Sequence, residues 1–63
     1  KLRAVNVLTP VPLADVVAFY FAKLGSAVSY RLDGSDHVLR AGTMLVLVRQ
    51  TPEGLTEVDL VSG

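Results

Sequence analysis

Only one stretch of the chain has helical periodicity, and strand-like patterns lie on both sides of it. Apolar residues recur every three or four positions between Leu13 and Leu24, which places them on one stripe of a helix. Residues 9–12 include two prolines and predict a loop into the helix, because proline cannot continue a strand ladder. Gly25 follows where a helix end favours glycine. We therefore predict one helix, from Leu13 to Leu24.

The rest of the chain predicts strands. Residues 3–8 alternate in the two-residue rhythm of a half-buried strand, and residues 27–32, 37–41, 43–50 and 55–61 predict four more. Turn-forming residues separate them. Residues 44–48 are apolar at every position, which is typical of a central strand buried on both faces. The predicted class is α+β, a βαβββ unit with one further strand, in a single domain spanning residues 1–63.

The length of 63 residues makes the burial of apolar surface difficult. A domain of this size buries only about 60% of the surface that its unfolded chain exposes. The chain has no cysteine, so neither disulfides nor thiolate metal ligands can add stability. We therefore expect the chain to associate with itself, as a homodimer or a higher homo-oligomer.

Charge and hydropathy exclude several other partners. Six basic and six acidic residues give a formal net charge of zero, so the field that attracts nucleic acid or an anionic membrane is missing. The longest apolar run, residues 16–22, is much shorter than the roughly 20 residues of a membrane span. No charged leader precedes a signal-like apolar segment. We expect no nucleic-acid or membrane partner, and a cytoplasmic location.

The polar residues contain no recognisable catalytic arrangement. His37 is the single histidine, and next to Asp36 it is typical of a solvated or hydrogen-bonded surface residue. No serine has a neighbouring His/Asp arrangement that would activate it as a nucleophile. Glu57 and Asp59 are two residues apart on a predicted strand and share a face. They could bind a cation or perform acid–base chemistry, or they could form the solvent-exposed side of an edge strand.

Residues 17–25, Val-Ala-Phe-Tyr-Phe-Ala-Lys-Leu-Gly, resemble the helix signature of the vicinal oxygen chelate superfamily. That superfamily includes glyoxalase I, extradiol dioxygenases, fosfomycin-resistance enzymes and bleomycin-resistance proteins. The resemblance covers essentially the whole chain, and residues 4–9 are most similar to the bleomycin-resistance branch. It implies that two βαβββ modules form a cup-shaped sheet around a ligand. This chain supplies one module, so two chains would complete the cup.

The resemblance also implies where metal ligands would lie. The three ligand positions fall on Val5, Val46 and Glu57, and only Glu57 can coordinate a metal ion. A divalent catalytic site generally needs about three protein donors. We therefore expect neither a metal ion nor another cofactor.

Apolar side chains replace those ligands. Strand alternation predicts that four valines lie on the cup-facing side: Val5, Val7, Val46 and Val48. They could form the wall of a pocket for a flat organic molecule, or plain core or dimer interface. Side chains that could orient polar groups of a ligand are Tyr30, Arg40, Glu57 and Asp59.

Three functions remain open. The first is a metal-free protein that sequesters a small apolar or aromatic, antibiotic-like compound, as drug-resistance binding proteins do. The second is a metal-dependent lyase or dioxygenase whose other donors come from a partner or a missing half. The third is a structural half-domain without a ligand, which could pair through an exposed strand edge at residues 55–61.

Overall fold

The computed structural model describes residues 1–63 as one antiparallel sheet with a single helix across one face. The elements are β1 (Arg3–Thr9), α1 (Leu13–Leu24), β2 (Ser29–Asp33), β3 (Asp36–Ala41), β4 (Met44–Gln50) and β5 (Thr56–Ser62). The α+β class is confirmed, and the elements follow one another in the predicted order. The helix has the predicted bounds, and each strand begins and ends within two residues of its prediction.

The strands are arranged in the order β1-β5-β4-β3-β2. β4 is central, as its continuous apolar sequence predicted. β5 pairs with β1 on one side and with β4 on the other. β5 is therefore an interior strand, and the prediction of a free edge at residues 55–61 is wrong. Thr56 and Val58 on this strand are buried. The free edges of the sheet are β1 and β2.

Strand alternation divides the side chains between two faces of the sheet. The register across β5 aligns Val5 with Val46, and Val7 with Val48, on the face that α1 covers. No element of the chain covers the other face, which we call the open face. The open face carries the charged residues of β4 and β5.

The core lies between α1 and the middle of the sheet. Its buried members are Val16, Leu39, Val46, Val48 and Val58. α1 packs chiefly against β3 and β4, so apolar side chains on β1 remain exposed. Only seven of the 63 residues are buried, so the isolated chain shows the shortage of burial that its length predicts.

α1 is a short helix that ends at a glycine. Gly25 has a φ of 81° and its amide donates to the carbonyl of Phe21 at 3.2 Å. A residue with a Cβ would be strained at this φ, which explains the glycine that the sequence places there. No helix of the protein has the length and apolar character needed to cross a membrane.

A buried hydroxyl attaches the start of α1 to the sheet. Thr56 is only 1% exposed, and its Oγ1 donates to the carbonyl of Val11 at 2.7 Å. The amide of Val11 donates in turn to Oγ1 of Thr9 at 3.2 Å. These bonds position the loop before α1, and with it one wall of the groove described below.

The Thr56 hydrogen bond gives a first prediction about stability. Thr56→Val keeps the shape of the side chain but leaves the carbonyl of Val11 without its partner, so we expect a loss of about 1–2 kcal/mol. Urea unfolding followed by circular dichroism measures this loss. The matched control is Thr43→Val at an exposed site. Equal midpoints for the two variants would contradict the role assigned to Thr56.

Candidate ligand-binding site

The eight predicted site residues do not form one site. Those on the face that α1 covers are Val5, Val7, Tyr30, Val46 and Val48. Arg40, Glu57 and Asp59 lie on the open face. Within a single chain the sheet itself separates the valines from the carboxylates. Alternation fixes which residues share a face, but it does not say which face the helix covers.

The four valines also differ in accessibility. Val46 and Val48 are fully buried beneath α1, so the interpretation as plain core holds for these two. A ligand cannot contact them while α1 is in place. Val5 and Val7 are 54% and 39% exposed because α1 does not reach across to β1. Of the four, only these two are accessible to a ligand.

A groove lies between α1 and β1, and we call it the β1-side groove. Its volume is about 400 Å³. The apolar side chains that line it are Val7, Val11, Val16, Phe19, Tyr20 and Val58. The rings of Phe19 and Tyr20 meet edge to face, with centroids 5.0 Å apart. The groove thus combines aliphatic and aromatic walls, which suits a flat apolar molecule.

Two polar residues complete the β1-side groove. Asp15, in the first turn of α1, is the only charged residue that lines it. An acidic side chain is favourable there because the helix dipole places a partial positive charge at the N-terminal end of the helix. Asp15 belongs to none of the ion pairs within the chain, so its carboxylate is free to accept a hydrogen bond from a ligand. Thr9 supplies a hydroxyl on the opposite, strand side of the groove.

A second apolar groove lies on the other side of α1, next to β2, with a volume of about 380 Å³. The hydroxyl of Tyr30 and Nδ1 of His37 are 2.7 Å apart at its edge, and the ring of Phe21 lies 5.3 Å from that of Tyr30. The interpretation of His37 as a hydrogen-bonded surface residue is therefore confirmed. This groove contains none of the predicted valines.

The open face carries a cluster of charges around Arg49. The guanidinium contacts Asp36 at 2.9 Å, Asp59 at 3.0 Å and Glu57 at 3.3 Å. Asn6 donates from Nδ2 to Asp59 at 2.6 Å and to Glu57 at 2.9 Å. Hydrogen bonds to Asp36 and Asp59 raise the pKa of Arg49 above its ordinary value. Hydrogen bonds from Asn6 and Arg49 lower the pKa of Asp59.

The Arg49 cluster gives Glu57 and Asp59 a structural environment that the sequence did not predict. Both are half-buried in an ion-pair network and lie on an interior strand. The interpretation of them as the solvent-exposed side of an edge strand is therefore wrong. Arg49 lies opposite Glu57 in the β4–β5 register, and Asn6 lies opposite Asp59 in the β1–β5 register. Sequence reasoning missed both partners because they become visible only once the strand pairing is known.

The metal positions implied by the resemblance do not come together. Glu57 is on the open face, whereas Val5 and Val46 are on the face that α1 covers. No group of three or more His, Cys, Asp or Glu side chains is arranged to hold a metal ion. The three carboxylates that converge on the open face surround Arg49 instead, and the guanidinium satisfies them.

Comparison of the chain with protein-family models, with curated proteins and with solved structures found no match.

Proposed function

We propose that the protein binds a small apolar or aromatic molecule in the β1-side groove, without a metal ion, and acts by sequestering it. The observation that carries this proposal is the groove of about 400 Å³, in which two aromatic rings and several aliphatic side chains meet a single carboxylate. Pockets for small molecules typically have about 300–1,000 Å³ and a mostly apolar lining with a few polar groups. The resemblance to bleomycin-resistance proteins supports the same class of ligand.

Exposed apolar surface supplies the driving force for binding. Val7, Val11 and Phe19 line the groove and are all exposed to solvent. Each Å² of apolar surface that a ligand covers contributes about 25 cal/mol. The second groove, next to β2, is of similar size, but the β1-side groove has a free carboxylate as well. Asp15 can therefore hold one end of the ligand while the rings of Phe19 and Tyr20 contact its flat body.

The experiment that tests the proposal is a titration with Nile red, a neutral fluorescent probe of apolar sites. Val7→Asp places a charge in the apolar wall of the groove, so we expect the affinity for the probe to fall at least about tenfold. Leu32→Asp is the matched control, because Leu32 is also an exposed apolar strand residue but lies outside the β1-side groove. We expect this variant to bind the probe as the unchanged protein does.

The same titration checks the metal-free part of the proposal. The groove contains one carboxylate and no histidine, so dialysis against a chelator should leave probe binding unchanged. Stoichiometric Zn, Ni, Mn or Fe in the purified protein, with binding lost on chelation, would favour the metal-dependent lyase or dioxygenase. If Val7→Asp and Leu32→Asp bind the probe equally well, the β1-side groove is not the binding site.

A further inference from the structure

The two edges of the sheet differ in their chemistry. The edge strand β2 carries Arg31 and Asp33, whose side chains form an exposed ion pair at 3.4 Å. The edge strand β1 has no charged residue between positions 4 and 8, and Val5 and Leu8 are both more than half exposed. Charged residues protect a strand edge from pairing with another chain, whereas a long uncharged edge is a template for pairing. β1 is therefore the edge that is open to pairing.

The sequence of β1 complements itself. If two copies of β1 pair antiparallel with Asn6 opposite Asn6, Val5 of each lies opposite Val7 of the other, and Ala4 lies opposite Leu8. Apolar residues then meet apolar residues on both faces, which is the favourable kind of cross-strand pair. Arg3 is the only charged residue of β1 and lies opposite Thr9, so no like charges meet.

We propose that the protein forms a twofold dimer in which β1 of one copy pairs with β1 of a second copy. The two sheets join into one sheet of ten strands, and an axis perpendicular to the sheet places both helices on the same side. The unpaired backbone groups of both β1 edges then form hydrogen bonds, and the exposed parts of Val5 and Val7 become covered. For a chain with seven buried residues, this is a substantial gain in burial.

The dimer also completes the β1-side groove. Val7 lines the groove of one copy, and Val5 of the second copy lies directly beside it across the new strand pair. The second copy thus extends the apolar floor, and the two β1-side grooves become one trough between the helices. This step rests on the proposed function, because it assigns the trough to the same small apolar or aromatic ligand. The strand pairing itself does not depend on that function.

The pairing is tested by sedimentation velocity and light scattering without any ligand. We expect the mass to rise from one chain to two between about 10 µM and 1 mM, the range typical of a small interface. Leu8→Lys places a charge opposite Ala4 of the second copy, so we expect dimerisation at least about tenfold weaker. Leu32→Lys on β2 is the matched control, because Leu8 and Leu32 are 57% and 59% exposed.

Several results would overturn the pairing. They are a single-chain mass at 1 mM, assemblies that grow beyond two copies, or equal weakening by Leu8→Lys and Leu32→Lys. Ala4→Lys, at another exposed site on β1, provides a second variant if Leu8→Lys loses its circular dichroism spectrum. A dimer that does not bind Nile red would count against the proposed function and leave the pairing intact. Binding of the probe by a strictly monomeric protein would count against the pairing and leave the proposed function intact.

Discussion

Val46→Asp is expected to prevent folding. Val46 is at the centre of β4, fully buried beneath α1, in a cluster that contains Val16 and Leu39. A carboxylate there has no partner and loses its hydration, at a cost of several kcal/mol. A domain of this size rarely has more than about 3–5 kcal/mol of stability from its core. The circular dichroism spectrum of the variant should therefore be that of an unfolded chain at neutral pH.

The control for Val46→Asp is Val5→Asp. Val5 shares the same face and the same row of the sheet as Val46, but it is more than half exposed. Substitutions at exposed sites usually change stability by less than about 0.5 kcal/mol, so this variant should fold. If both variants fold equally well, α1 does not cover the middle of the sheet. The four valines would then be accessible, as the interpretation of them as a pocket wall requires.

Arg49→Gln is expected to destabilise the protein by about 2 kcal/mol at neutral pH. The substitution leaves three half-buried carboxylates close together without the cation that joins them. Arg31→Gln is the matched control, because the pair of Arg31 with Asp33 is exposed and such pairs contribute at most about 1 kcal/mol. Urea unfolding of both variants measures the difference. Equal losses of unfolding free energy in the two variants would show that the Arg49 cluster does not stabilise the protein more than an exposed ion pair does.

The effect of Arg49 should also depend on pH. The pKa of Asp59 is lowered in the folded protein by hydrogen bonds from Asn6 and Arg49. Because this pKa is lowered, ionised Asp59 stabilises the folded protein at pH values above about 3.9, the pKa of an aspartate in the unfolded chain. The stabilisation is lost as the pH falls through the lower pKa that Asp59 has in the folded protein. The difference between the unchanged protein and Arg49→Gln should therefore be largest near neutrality and shrink below about pH 4. A difference that stays constant down to pH 2 would contradict this assignment.

Local pattern was sufficient to predict the elements of this fold. The stripe from Leu13 to Leu24 has the period of a helix, and the helix has those bounds. The continuous apolar sequence of β4 predicted its central place in the sheet. These inferences succeed because each depends on residues within a few positions of one another.

The position of β5 and the choice of covered face could not be predicted in the same way. Inserting β5 beside β1 pairs residues that are far apart in the sequence, such as Asn6 with Asp59. Alternation in β1 and β4 defines two equivalent faces, and only the packing of α1 distinguishes them. Of the two interpretations that the sequence leaves open, core is the one that fits Val46 and Val48, and the accessible groove lies further along the same face. The charge cluster around Arg49 likewise depends on strand register.

The pairing of β1 with β5 affects the order in which this protein can assemble during synthesis. β1 is synthesised before α1 and the other strands, and its partner β5 is synthesised after them. Until β5 is synthesised, β1 has no strand of the same chain to pair with. β2, β3 and β4 can already form a meander from local contacts. β1 therefore remains an unpaired apolar segment while the residues between β1 and β5 are synthesised.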